Sequence, residues 1–203
     1  MINQLSADKW TDFFRYYKGE PHQLEAITEL WRRMPVDLLR EDALWVRMFR
    51  ERPVTPDEPG HINSEGLKLI KSWEGLRTEA YLCPAGVWTV GYGSTGSHVH
   101  PGLVISEAEA ESLLLVDLER FEKCVNEEID VALTSNQYSA LVSFAFNVGV
   151  YAFHQSTLRR RLNEGQDVNT VIRQELPRWV NAGGEVLQGL VNRRNAEIAL
   201  AVS

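Results

Sequence analysis

Glu74-Gly75-Leu76-Arg77-Thr78-Glu79-Ala80-Tyr81-Leu82-Cys83-Pro84-Ala85-Gly86-Val87-Trp88-Thr89-Val90-Gly91-Tyr92-Gly93 joins the end of a helix to a hairpin rich in glycine and aromatic residues. Glu74 lies seven residues after Leu67 and four after Ile70, so it shares their helical face, the one expected to point inward. It sits in the last turn, just before Gly75, at the negative end of the helix dipole. Partial burial and that dipole both disfavour an ionised carboxylate, which suits a group meant to donate a proton. Pro84-Ala85-Gly86 is turn chemistry that lets Cys83 and Thr89 stand on facing strands. Strand alternation then puts Thr89, Gly91 and Gly93 on one face and Trp88, Val90 and Tyr92 on the other. A face of threonine and glycine is a poor core and a good place for a ligand to approach the backbone.

On either side the pattern is mainly helical. The helix ending in Glu74 starts near residue 64, capped by Asn63 or Ser64, and the strand region covers 79–93. Ser106 with Glu109 and Thr134 with Gln137 have capping-box spacing, and Gly149 and Gly165 sit where helices end. Further helices are expected at about 156–164, 168–180 and 188–201. The layout is α+β: mainly helical, with a small β-hairpin lobe. Upstream, Arg52-Pro53-Val54-Thr55-Pro56-Asp57-Glu58-Pro59-Gly60 cannot form the interior of a helix or sheet, so 52–61 reads as a linker. It separates the main domain at 62–203 from an accessory region at 1–51. That region reads as an N-terminal extension of three helices, marked by Trp10, Phe13, Phe14 and Tyr17, by Leu24, Ile27, Trp31 and Met34, and by Leu38, Trp45 and Phe49.

Apolar residues at 44% and charged residues at 24% describe an ordinary globular chain rather than a disordered one. The net charge of -7 argues against nonspecific binding to nucleic acid, so a grip on any anionic polymer must come from a shaped groove. Cys83 and Cys124 are too few for a disulfide scaffold and lack zinc-ligand spacing. No basic region followed by an apolar run opens the chain, and no stretch has the ~18 apolar residues of a membrane span. Synthesis in the host cytoplasm without an export signal, and no membrane span, are the expectations.

The Glu74–Gly93 segment resembles the active-site signature of the phage-type lysozymes, the muramidase endolysins of glycoside hydrolase family 24. That signature is a Glu, eight residues, an Asp or Cys, five residues and a Thr, matched by Glu74, Cys83 and Thr89 with both spacings intact. Glu-Gly-x-Arg, Pro-x-Gly-x-Trp-Thr and Gly-Tyr-Gly match as well. Leu141 to Gly149 is similar to the family's central helix, and Ser156-Thr157-Leu158 and Gly189 to Arg194 are similar to later segments. The likeness covers about 62–203.

The resemblance implies a lysozyme-like fold and cleavage of the β-1,4 bond from N-acetylmuramic acid to N-acetylglucosamine in bacterial peptidoglycan. Glu74 would be the general acid, with Cys83 and Thr89 holding a water on the opposite ring face, the inverting arrangement. Cys83 stands where many members carry Asp. Whether it is base, water-positioner or nucleophile stays open, since a thiol near pKa ~8.5 is a weak base unless its surroundings lower that value. Thr95, Phe146 and Thr157 match positions lining the sugar groove. An arginine at the start of the last helix, Arg193 or Arg194, would contact Glu74. The resemblance calls for no metal or cofactor, and implies a monomer that acts on the wall after release from the cell. Two free thiols are expected, because Cys124 maps far from the hairpin. Ser94 replaces the histidine that in many members pairs with an aspartate at the position of Asp117, so a neutral pair and weaker pH dependence of stability are expected. A non-catalytic wall-binding or phage structural protein, and a lytic transglycosylase, are the competing readings.

Overall fold

The computed structural model describes residues 60–203. The three-helix reading of 1–51 and most of the linker reading at 52–61 lie outside the described residues.

The order is α1 (Ser64–Glu74), β1 (Arg77–Leu82), β2 (Trp88–Gly91), β3 (Ser94–Thr95), α2 (Glu107–Glu128), α3 (Ser135–Val148), α4 (Val150–His154), α5 (Thr157–Asn163) and α6 (Val168–Glu175). A 3-10 turn (Leu176–Arg178), β4 (Asn181–Ala182), β5 (Glu185–Val186) and α7 (Gln188–Ala201) follow. This is the mainly helical α+β arrangement with a small antiparallel lobe. Among the described residues no helix is long and apolar enough to cross a membrane.

Helix α3 is the central element. Gln137 through Ala145 are all buried, so this helix presents no solvent face along that run, which is how a helix surrounded by others must be composed. Helices α1, α2, α4 and α7 pack against it. Its start is held by the Thr134–Gln137 capping box, and α2 starts on the Ser106–Glu109 box, as their spacing predicts. Asn63 is the N-cap of α1, accepting from the Gly66 N–H at 2.9 Å. Gly66 is required there by packing: a Cβ would lie 2.5 Å from Ser139 Cβ on α3. The missing side chain lets α1 close on the central helix and so fixes the line along which Glu74 is delivered.

The lobe is a three-stranded antiparallel sheet in the order β1-β2-β3. Tyr81 pairs with Thr89 and Leu82 with Trp88, and Thr89 pairs on its other side with Thr95. The segment before α2 adds to the outer edge of β1, through Ala80 N–H to Leu103 O at 2.9 Å and Ile105 N–H to Thr78 O at 2.8 Å.

Two expectations are corrected. The helix read at 168–180 ends at Glu175 because Pro177 has no N–H to continue it. Then Asn181–Val186 forms a hairpin across Gly183 and Gly184, both at positive φ (61° and 87°). A Gly-Gly pair is itself a hairpin signal. Secondly, Thr89, Gly91 and Gly93 do not form one open face. Thr89 and Gly91 are buried while Gly93 is exposed, and Gly91 takes a φ of 65°, which breaks strand alternation. A Cβ on Gly91 would lie 3.2 Å from Ala110 Cβ, so that glycine admits α2 rather than a ligand.

Candidate functional site

Glu74 is the last residue of α1, where Gly75 turns the chain at a φ of 71°. Its side chain is 26% exposed, and its Oε1 accepts from Arg193 Nη1 at 2.8 Å. Arg193 is itself buried near the start of α7, so that helix, not the lobe, supplies the cation beside the carboxylate. Of the two arginines in the sequence motif, Arg193 faces α1, whereas Arg194 Nη2 turns to Asn147 Oδ1 on α3 at 2.9 Å.

Cys83 follows directly on β1, in a turn closed by its N–H to Val87 O at 2.9 Å and by the Gly86 N–H to its own carbonyl at 2.8 Å. The half-buried thiol is held below its ordinary pKa, chiefly by the Val87 N–H and then by that of Ala85. Desolvation opposes them, and the Thr89 hydroxyl adds to the lowering. Thr89 Oγ1 donates to Val87 O at 3.1 Å. Because Thr89 is opposite Tyr81, two residues before Cys83, the thiol and hydroxyl are diagonal neighbours across the hairpin. The lobe therefore brings together Cys83, Thr89 and, on β3, the exposed Thr95.

Phe146 and Thr157 lie on the helical side. Phe146 is half-buried on α3 and meets Phe121 of α2 edge-on, with centroids 5.1 Å apart. Thr157, also half-buried, opens α5 behind its Ser156 cap. Among the described residues no group of three or more His, Cys, Asp or Glu could hold a metal. Cys83 and Cys124 are both free thiols, and burial pushes Cys124 above its ordinary pKa.

Sequence reading missed two features. Glu197 is fully buried and lies against both arginines: Arg194 Nε is 2.8 Å from its Oε2, and Ser143 Oγ donates to its Oε1 at 2.8 Å. The i, i+3 and i, i+4 spacing of Arg194 and Arg193 to Glu197 was the available signal. The second is His98. Ser94 is buried beside Asp117 as expected, but His98, in the loop after β3, also faces that carboxyl. The site therefore does contain an imidazole, delivered from four residues further along the chain than Ser94.

The phage lysozyme family model matches residues 71–197. The chain is 47% identical over 141 residues to the endolysin of Bacillus phage PZA, an alignment that covers 68% of this chain but only 54% of that protein. It is 44% identical over 144 residues to the endolysin of Acyrthosiphon pisum secondary endosymbiont phage 1, covering 69% of this chain and 97% of that one. Among solved structures, the muramidase domain of SpmX from Asticaccaulis excentricus superposes with a TM-score of 0.64 at 39% identity. That match covers 70% of this chain and 98% of the domain. The matched segment thus spans about half the Bacillus phage protein but nearly all of the other two. With the Glu74, Cys83 and Thr89 positions inside the matched residues, the chain belongs to the phage lysozyme family.

Proposed function

We propose that this protein is an endolysin that hydrolyses the β-1,4 bond between N-acetylmuramic acid and N-acetylglucosamine in bacterial peptidoglycan. The observation that carries the reading is a partly covered side chain, Glu74, whose carboxylate is gripped by Arg193 where α1 passes into the hairpin bearing Cys83 and Thr89. In this reading Glu74 protonates the glycosidic oxygen as the bond to the muramic acid anomeric carbon breaks. A water held by Cys83 and Thr89 attacks that carbon from the other face and gives its proton to the Cys83 thiolate. The backbone N–H groups around the sulfur keep more of the thiol in that basic form. The product has inverted configuration, the outcome expected when acid and base stand roughly 6.5–9.5 Å apart. Thr95, Phe146 and Thr157 line the sugar path. The chain works as a monomer, without metal or cofactor, on the wall after release from the cell that made it, and 1–51 acts as an accessory region.

The test is turbidity loss and product mass on purified peptidoglycan for the parent, Glu74→Gln and Cys83→Ser. Clearing by the parent, its loss in Glu74→Gln, and reducing-end muramic acid are expected. An anhydro product, lighter by one water (about 18 Da), would replace hydrolysis with transglycosylation, since no water then enters the bond. Wall binding without clearing, with clearing gained by Cys83→Asp, would make the protein a binding module.

A further inference from the structure

Glu197 lies beyond the machinery just proposed, yet it is enclosed by two arginines. Its carboxylate is fully buried on α7. Its Oε1 takes Ser143 Oγ at 2.8 Å, Arg194 Nη2 at 3.0 Å and Arg193 Nε at 3.4 Å, and its Oε2 meets Arg194 Nε at 2.8 Å. Arg193 then reaches Glu74 with Nη1 at 2.8 Å, while its Nη2 is buried without a hydrogen-bond partner. The Arg193 guanidinium is therefore held by two carboxylates, one buried and one opening to solvent. Arg194 is committed elsewhere, to Glu197, to Asn147 Oδ1 at 2.9 Å and to the Phe144 ring 4.9 Å away.

A buried carboxylate is costly, and packing alone would be served as well by an apolar side chain. The geometry points to a different role for Glu197, that of a positioning residue which aims Arg193 at Glu74 and sets how much of its positive charge Glu74 experiences. With both arginines and both glutamates ionised, the group is neutral. Removing the Glu197 charge leaves Arg193 wholly to Glu74 and favours the Glu74 anion. Removing the Arg194 charge lets Glu197 draw on Arg193 and relaxes its hold on Glu74. The charged groups acting on Glu197 are Arg194 and Arg193 of its own helix, and α3 contributes the neutral Ser143. The consequence for catalysis rests on the proposed role of Glu74 as acid. The electrostatic arrangement does not.

The experiment follows the Glu74 carboxyl by carbon-13 NMR titration, identified by its loss in Glu74→Gln, together with the pH–rate profile of peptidoglycan clearing. Both are measured on the full chain for the parent, Glu197→Gln, Arg194→Gln and the double variant. Glu197→Gln is expected to move the Glu74 midpoint and the alkaline limb of clearing down by about half to one pH unit. Arg194→Gln is expected to move both up, and the double variant to return toward the parent. Midpoints that stay at the parental value in folded variants, with only lower melting, would reduce Glu197 to a structural residue and overturn the inference. If the charge variants fail to fold, Ser143→Ala carries the test. It frees an Oε1 lone pair for Arg193, so a smaller upward shift is expected and none would overturn it. A parent that clears no wall refutes the proposed hydrolysis, and the NMR titration still decides the positioning role.

Discussion

At the scale of single residues, the chemistry of the two thiols separates them. Backbone N–H groups hold Cys83 below its ordinary pKa, led by that of Val87, while burial pushes Cys124 above its own. Only the thiolate alkylates. Iodoacetamide labelling read by mass spectrometry across pH 6–9 should therefore modify Cys83 first, with a midpoint below that of a free thiol, and leave Cys124 nearly unreacted in the folded protein. Equal rates at the two sites would contradict the turn geometry. The placement of Glu74 at the end of its helix was legible in the sequence, because its distance from Ile70 and its position before Gly75 are local, while its proposed role came from the resemblance of Glu74, Cys83 and Thr89 to the lysozyme signature. Which arginine Glu74 meets was not legible. Arg193 and Arg194 are adjacent, so one residue's rotation around α7, ~100°, decides that one faces α1 and the other α3.

At the scale of elements, the α1–α3 crossing and the capping boxes carry the fold of the site. Gly66→Ala places a Cβ 2.5 Å from Ser139 Cβ. Overpacking of this kind costs about 1–3 kcal/mol, and thermal or urea unfolding should show it. Activity should fall as well, because α1 must shift along the line that presents Glu74. Thr134→Ala removes the side chain that caps α3 at the Gln137 N–H, 3.2 Å away, and should cost about 1 kcal/mol with Glu74, Cys83 and Thr89 undisturbed. Both capping boxes were readable because an N-cap depends only on residues three apart in sequence. The hairpin at 181–186 was overlooked because continuous helical patterning on both sides hid a Gly-Gly turn. The single open face read into Thr89, Gly91 and Gly93 failed because α2 packs on Gly91 through Ala110, a contact between elements that strand periodicity does not contain.

At the scale of the whole molecule, the half-buried His98–Asp117 pair ties global stability to pH. Burial lowers His98 below its ordinary value, against the attraction of Asp117. Burial likewise raises Asp117, against Ser94, Arg120 and His98. The unfolded chain thus binds a proton at His98 near pH 6.5 that the native state resists, so stability is full above that pH and is lost as pH falls through the lower native value. Asp117 acts in the opposite sense at lower pH, where the native state takes up the proton before the unfolded chain does. His98→Gln should therefore flatten the fall in melting temperature between pH 6.5 and 5 relative to the parent, and an unchanged slope would remove His98 from the account. The sequence by itself determined the α+β class, the helix starts, the Glu74–Cys83–Thr89 spacing and the family, because periodicity, caps and signature spacing are local properties of the chain. Only the tertiary structure decided that Arg193 rather than Arg194 holds Glu74, that Glu197 lies beneath both, and that His98 joins Ser94 at Asp117. Those contacts bridge as many as 119 residues, and burial, which sets their electrostatic strength, exists only once α7, α3 and α1 have closed on one another.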